Sequence, residues 1–124
     1  MEMLKLFRSV LDQDPAPVVL CDLSHTILYM NPVAVKRYEK YGGAALLGKS
    51  LLNCHPKAAR EMIEKVLSWF RESPDHNRIY EFRNDEENKD VYMVALRAED
   101  GTLIGYYEKH EYRARETGKL YDFG

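Results

Sequence analysis

The stretch "VVLCDLSHTILYMNPVAV", residues 18–35, predicts two strands joined by a tight turn and followed directly by a helix. "VVLCDL" and "TILYMN" are short runs rich in aliphatic and β-branched residues, and Ser24-His25 lies at the turn between them. Asn31-Pro32 predicts the helix start, because asparagine caps a helix N-terminus and proline suits the first helical turn. The chain therefore contains an antiparallel hairpin that leads into a helix.

Upstream of the hairpin, the sequence predicts an amphipathic helix within residues 1–14. Its apolar residues recur at spacings of three and four, and the proline-rich segment "DPAP" ends it. The apolar face consists of Leu4, Phe7, Val10 and Leu11. A lone helix of ~13 residues is marginal in water, so this face is expected to dock on a sheet face or on a second copy of the chain.

The strongest helical signal follows His55-Pro56. From Ala59 to Phe70, apolar residues fall at i, i+3, i+4, i+7, i+8 and i+11, which predicts one buried stripe that includes Met62. After this helix, "RIYEFRN", "DVYMVALRA" and "TLIGYYEKHEYRA" predict three strands. The order of helix, hairpin, helices and three strands predicts an α+β fold with an antiparallel sheet.

Composition limits the classes of protein that this chain can belong to. A chain of 124 residues, 45% hydrophobic and 31% charged, is typical of one globular domain. The net charge of -2, without a basic stripe, argues against a nucleic-acid binder. No apolar run approaches the ~18 residues that span a bilayer, so no membrane association is predicted. Two cysteines and no export signal predict a cytoplasmic protein with reduced thiols.

Several short motifs, in this order, resemble a PAS domain. The first strand ends in Asp22, the second is followed by Asn31-Pro32, and "ALLGKSL" precedes a His-Pro pair that opens the long helix. "EDGTLIGYY" forms the last hairpin. The resemblance places a PAS domain at residues 15–113, with the N-terminal helix at 1–14 and a C-terminal tail at 114–124.

The resemblance is to bacterial PAS domains, which are sensor modules, and it implies a particular sheet topology. The five-stranded antiparallel sheet would have the strand order 2-1-5-4-3, with helices over one face. An N-terminal helix would precede it, through which domains of this family often dimerise. The dimer interface would consist of Leu4, Phe7, Val10 and Leu11. A homodimer, a small-molecule ligand or a separate signalling protein are therefore the expected partners.

The resemblance also implies a small cavity between the sheet and the helices. The strand residues assigned to it alternate, as the pleat requires. The predicted cavity residues are Val19, Cys21, Cys54, His55, Ile63, Val66, Phe70, Tyr92, Val94, Leu96, Leu103 and Tyr107, with Gly105 on the same face. Apolar walls with a few polar groups suit a small ligand. The alternative is that Phe70, Tyr92 and Tyr107 fill this space themselves, and the sequence leaves both interpretations open.

The Cys54-His55 pair allows several interpretations. In the structural one, Pro56 takes the first helical position, His55 is extended before it, and Cys54 is a small buried side chain. In the redox one, a helix N-terminus and the neighbouring histidine lower the pKa of the Cys54 thiol. The chain's two cysteines and four histidines lack the spacing of a zinc site, so no metal is predicted.

Cofactor motifs of the family match this sequence poorly. Haem-binding PAS domains place a histidine on the first turns of the long helix, where this chain has Arg60, Glu61 and Met62. The light-sensing flavin members carry Asn-Cys-Arg-Phe-Leu-Gln, of which only Asn53-Cys54 is matched. The sequence thus favours neither haem nor flavin, and the cofactor stays undetermined.

No pattern typical of a catalytic site stands out: the sequence contains neither a nucleophile with a paired base nor a glycine-rich phosphate loop. The chain is therefore predicted not to be an enzyme. The predicted function is a signal-sensing or interaction module that binds a small molecule or a partner protein. The alternatives are a ligand-free dimerisation or adaptor domain, and a thiol-based redox sensor that uses Cys54.

Overall fold

A computed structural model describes residues 2–124, with the exception of the Cys54 side chain. The α-helices are α1 (Met3–Asp12), α2 (Pro32–Arg37) and α3 (Lys57–Glu72). The strands are β1 (Val19–Asp22), β2 (Ile27–Met30), β3 (Arg78–Asn84), β4 (Lys89–Arg97) and β5 (Leu103–Tyr112). Three short 3₁₀ helices link α2 to α3: Glu39–Tyr41, Gly43–Leu46 and Leu51–Cys54.

The five strands form one sheet in the order β2-β1-β5-β4-β3, and every neighbouring pair is antiparallel. This confirms the predicted α+β fold, its strand order and its N-terminal helix. Among residues 2–124, no helix is both long and apolar enough to cross a membrane.

The core lies between one face of the sheet and helices α2 and α3. Helix α3 buries Ile63, Val66, Leu67 and Phe70, as its periodicity predicts. Met62 was also predicted in this stripe, but it is 55% exposed because α3 packs through the other four positions. The cluster of buried residues comprises Cys21, Ile27, Met30, Ala34, Leu46, Ile63, Val66, Leu67, Phe70, Met93 and Tyr106.

The inward face of β4 was predicted one residue out of step. Val91 and Met93 are the buried residues, and Ala95 packs against the core. Tyr92, Val94 and Leu96, predicted as inward, therefore lie on the other face of the sheet. A slip of one residue in the alternation moves a whole strand's side chains to the opposite face.

The same correction applies to β5, where Tyr106 is the buried tyrosine. It is 2% exposed and lies opposite Cys21 on β1 and Ala95 on β4, both of which belong to the core face. Tyr107, one position further along, pairs with Val94 and so alternates to the outer face. Gly105, which was predicted to face the cavity, shares the face of Tyr107.

Asn31 connects the N-terminal segment to the body of the fold. Its side chain is completely buried, and its Oδ1 accepts hydrogen bonds from the backbone N–H groups of Val18 and Ala34. Its Nδ2 donates to the carbonyl oxygens of Leu11 and Ala16. The predicted N-cap of α2 is thereby confirmed, and the same side chain also holds the end of α1.

Candidate functional site: a cavity between the sheet and the short helices

A cavity of about 240 Å³ lies between the sheet and the 3₁₀ helices. Its walls are Val19, Ile27, Tyr38, Tyr41, Leu46, Leu51, His55 and Glu108. A dry apolar cavity of about 150 Å³ can hold benzene, so this volume suits a molecule of about ten non-hydrogen atoms. Tyr41 is 55% exposed and marks the mouth of the cavity.

A second cavity of about 20 Å³ adjoins the first and shares Val19, Tyr38, Leu51 and Glu108 with it. Its remaining walls are Pro17, Cys21, Tyr106, Tyr107 and His110. This volume corresponds to about one water molecule. The two cavities together form a mainly apolar space, and Glu108 lies on the walls of both.

The predicted cavity residues are only partly brought together. Val19 and His55 line the large cavity, while Cys21 and Tyr107 border the small one. The side chains of Ile63, Val66 and Phe70 are packed in the core instead, and Leu103 packs against the same cluster. The residues that the sequence analysis missed are Ile27, Tyr38, Tyr41, Leu46, Leu51 and Glu108. Most of them come from the segment 38–51, which has no helical or strand period to indicate its orientation.

Glu108 has a second carboxyl group, that of Glu81 on β3, as its neighbour. Burial, together with the hydrogen bond to Glu108 and its charge, raises the pKa of Glu81 far above its ordinary 4.5. At neutral pH, Glu81 therefore keeps its proton, and its hydroxyl donates a hydrogen bond to Glu108. Burial and a neighbouring acidic group both disfavour the ionised form of a carboxyl group, which is why Glu81 stays neutral.

Basic groups lie beside this pair, and the Nζ of one of them, Lys89, is buried without a hydrogen-bond partner. Lys89 is completely buried, and its Nζ lies 3.5 Å from an oxygen of Glu87. Arg37 binds both oxygens of the same Glu87 carboxylate at 2.7 Å. Burial and the charge of Lys89 lower the pKa of His110 to about 4, so His110 is neutral at physiological pH.

Replacing Glu81 with glutamine is expected to remove a pH dependence of stability. Because the folded-state pKa of Glu81 is raised, its contribution to the free energy of unfolding is complete below pH 4.5, the ordinary pKa, and is lost as the pH rises towards the raised pKa. Between the ordinary and the raised pKa, each pH unit lowers the free energy of unfolding by up to about 1.4 kcal/mol. Glutamine does not titrate, so the variant lacks this loss. Between pH 6.5 and 8.5, the wild type should therefore lose about 1–2 kcal/mol more than the variant in urea unfolding.

The chosen pH range excludes most of the effect of His110, whose lowered pKa destabilises the fold as the pH falls from 6.5 towards 4. Glu86→Gln, at an exposed position of the β3–β4 loop, is the matched control and should retain the wild-type pH profile. Parallel profiles for Glu81→Gln and the wild type would show that Glu81 is ionised in the folded protein.

His25 was interpreted only as a turn residue, but it is buried and connects three elements. Its Nδ1 lies 2.7 Å from the Tyr106 hydroxyl on β5, and its Nε2 pairs with the Glu64 carboxylate on α3. The backbone of His25 has φ +66°, in the left-handed region. The turn is thus fixed to both layers, and it closes the core beside the cavity.

Neither residue of the Cys54-His55 pair begins α3. His55 is extended before Pro56, as predicted, with φ -120° and ψ 140°. Pro56 is the N-cap and not the first helical residue, since α3 begins at Lys57. The His55 Nδ1 donates to the Leu51 carbonyl oxygen at 2.8 Å, which orients the ring on the cavity wall.

The thiol hypothesis concerned Cys54, whose side chain lies outside the described residues, and it stays a prediction. Cys21, the other cysteine, is 3% exposed. Burial raises the pKa of its thiol to about 12. A neutral, buried thiol is a poor nucleophile, so Cys21 is unsuited to a redox role.

A family model described as PAS fold matches residues 11–109. Among solved structures, the chain is similar to a PAS domain from Colwellia psychrerythraea, at 16% identity and a TM-score of 0.64 over 90% of this chain and 97% of the other. It is also similar to the PAS domain of BvgS from Bordetella pertussis, at 23% identity and a TM-score of 0.58 over 90% and 87%.

A third similar structure is the Aer2 receptor from Vibrio cholerae, described as a dual PAS-haem oxygen sensor. It has 16% identity to this chain and a TM-score of 0.53 over 79% of this chain and 94% of the other. No curated protein sequence matches the chain. At these identities, the solved structures establish the fold, and the family match extends across the sheet and the cavity.

Proposed function

This chain belongs to the PAS family, and from that premise we propose that it is a signal-sensing module whose cavity binds a small molecule. PAS domains are sensor modules in signal transduction, and in general they are sensory or interaction modules rather than enzymes. The observation that carries the proposal is the cavity of about 240 Å³, whose aliphatic and aromatic walls include His55 and the carboxyl group of Glu108. Apolar walls with a few placed polar groups are typical of small-ligand sites.

A haem or flavin does not fit this cavity. Room for about ten non-hydrogen atoms is far too little for a porphyrin or a three-ring flavin. The similarity to the haem-containing receptor from Vibrio cholerae therefore supports the fold but not its cofactor. The expected ligand is a smaller molecule.

The proposed function is tested by native mass spectrometry of freshly purified protein, compared with the variant Leu51→Trp. The larger tryptophan side chain would fill part of the cavity and keep this part of its wall apolar. A retained molecule should appear as added mass on the wild type and be lost from the variant. A ligand that dissociates during purification is sought by a thermal-shift screen. At a concentration of 100 times its Kd, such a ligand should stabilise the wild type by about 2.7 kcal/mol.

Added mass or thermal stabilisation that is equal in both proteins would place the ligand outside the cavity. If neither protein gained mass or stability, the ligand-free adaptor would be the better account of this chain. Leu47→Trp is a matched control, because Leu47 is exposed and is not among the residues that line the cavity. It should behave like the wild type.

We further propose that the module is a homodimer formed through α1. None of the ten residues of this helix is buried, and Leu4, Phe7 and Val10 are each more than 60% exposed. Leu11, the fourth residue of the predicted interface, is partly buried at the end of the helix. A helix of this length gains little stability alone, so a second copy packing on the apolar face would stabilise it.

Phe7→Glu is expected to convert the dimer to a monomer in analytical ultracentrifugation. The variant places a charge in the centre of the proposed apolar interface, and burying that charge without a partner is costly. Ser9→Glu, on an exposed polar position of the same helix, is the control and should remain dimeric. A wild type that sediments as a monomer at high micromolar concentration would contradict the proposal.

A further inference from the structure

One acidic residue, Glu108, lines the cavity, and its carboxyl group is the feature that distinguishes this wall. Among the described residues, no lysine, arginine or histidine forms an ion pair with Glu108. The two nearby cations, Arg37 and Lys89, both pair with Glu87 instead. Glu81, the remaining neighbour, contributes a proton but no positive charge. Glu108 therefore presents to a mainly apolar cavity a carboxyl group that accepts a hydrogen bond from Glu81 but has no ion pair with a described basic side chain.

The other polar groups on the wall are also suited to a donor of hydrogen bonds. The Nδ1–H of His55 donates to the Leu51 carbonyl oxygen, so the Nε2 is the ring nitrogen left for a ligand. The rings of Tyr38 and Tyr41 line the same cavity. Aromatic faces attract cations, and each of these rings already has a basic side chain within 6 Å, Arg37 and Lys40 respectively.

We propose that the ligand of this cavity is a small organic cation, an amine with an apolar body, whose charged nitrogen binds Glu108 beside Tyr38 and Tyr41. The inference rests on the proposed function, since it requires that the cavity bind a small molecule at all. The aliphatic walls, formed by Val19, Ile27, Leu46 and Leu51, would contact the apolar body. The volume limits the whole ligand to about ten non-hydrogen atoms.

The test compares charged and neutral molecules of equal size. The probes are 2-phenylethylammonium against 2-phenylethanol, and cyclohexylmethylammonium against cyclohexylmethanol, titrated into wild type and Glu108→Gln by NMR. A hydrogen bond to a charged group predicts that each ammonium binds the wild type about 10- to 100-fold more tightly than its alcohol. In Glu108→Gln this preference should disappear, while the affinity for each alcohol stays within about threefold of the wild type.

The alcohols also report whether Glu108→Gln has kept its cavity. A second variant, Tyr41→Leu, changes an exposed residue at the mouth and leaves the core intact. Loss of its ring should weaken ammonium binding by about 2- to 5-fold and leave alcohol binding unchanged. Phenylacetate, the anion of similar size, should bind most weakly to the wild type.

The outcomes separate this inference from the proposed function. If the alcohols or phenylacetate bind the wild type as tightly as the ammonium probes, and Leu51→Trp blocks them, the cavity is a ligand site but the cationic ligand is wrong. If the ammonium preference persists in Glu108→Gln, Glu108 is not the partner of the charge. If no probe binds and no retained molecule is found, the inference and the proposed function both fail.

Discussion

Replacing Asn31 with alanine is expected to lower the free energy of unfolding by about 3–5 kcal/mol. The change removes two accepted and three donated hydrogen bonds, the longest of them 3.4 Å to the Asp14 carbonyl oxygen, at a side chain that is completely buried. It also removes the cap of α2 and leaves the carbonyl oxygens of Leu11 and Ala16 without this partner. Urea unfolding, followed by the fluorescence of Trp69, measures the effect.

Asn53→Ala is the matched control, because Asn53 is an exposed asparagine, and its expected effect is below about 0.5 kcal/mol. Asn31→Asp separates the two halves of the role. The carboxylate retains the acceptors for the N–H groups of Val18 and Ala34 but faces two carbonyl oxygens that need a donor. It should therefore also destabilise the fold, and it should expose α1 to proteases before the rest of the chain unfolds.

A loss below about 1 kcal/mol for Asn31→Ala would contradict this account of how α1 is held. The consequence for function is direct. If α1 carries the dimer contact, the segment that Asn31 holds is one path from the cavity to α1, beside the hydrogen bond from the Tyr29 hydroxyl to Asp12. Asn31→Asp should then weaken dimerisation although no residue of the proposed interface has been changed.

The parts of the fold with strong local signals could be predicted from the sequence. Asn31-Pro32 specifies a helix start by capping chemistry, and the stripe that ends at Phe70 specifies which side of α3 is buried. The hairpin turn at Asp22 was equally readable, since the Asp22 carboxylate accepts hydrogen bonds from the N–H groups of Ser24 and Thr26. In each case, the decisive interactions lie within a few residues along the chain.

The face of β4 and β5 could not be predicted in the same way. Both faces of β4 carry apolar side chains, so Tyr92 and Met93 were equally good candidates for the core. Which of the two faces the core is decided by pairing with a distant strand, β5, which places Met93 opposite Glu108. The outer face then stabilises Tyr92 by contact with its neighbours, including the Arg78 guanidinium 3.9 Å from its ring centre.

The resemblance predicted a cavity, but of the residues that line the larger one only Val19 and His55 were predicted. Strand β4 lies between Glu81 on β3 and Glu108 on β5, so the hydrogen bond between the two carboxyl groups depends on how the sheet brings them together. Tyr38 and Tyr41 belong to 3₁₀ helices and loops that have no recognisable period. Sequence alone could therefore indicate a cavity of this family but not the acidic residue on its wall.

Replacing Gly105 with alanine is expected to lower the free energy of unfolding by about 3 kcal/mol or more. A Cβ atom at this position would overlap the carbonyl oxygen of Cys21 on the neighbouring strand, well inside van der Waals contact. That oxygen is backbone and cannot move as the end of a flexible side chain would. The strands β1 and β5 must therefore separate locally, at the point where Asp22 pairs with Gly105.

The effect should reach the cavity because its walls come from both strands. Val19 lies on β1 and Glu108 on β5, so a displacement of one strand changes the distance between the aliphatic wall and the carboxylate. We expect Gly105→Ala to lose ligand binding even under conditions in which most of the protein remains folded, as judged by circular dichroism. Gly118→Ala is the control, since a Cβ there would meet only the flexible Glu116 side chain, and it should melt like the wild type. If Gly105→Ala lost less than about 1 kcal/mol and bound ligand normally, the close approach of β1 and β5 would not be required for the cavity.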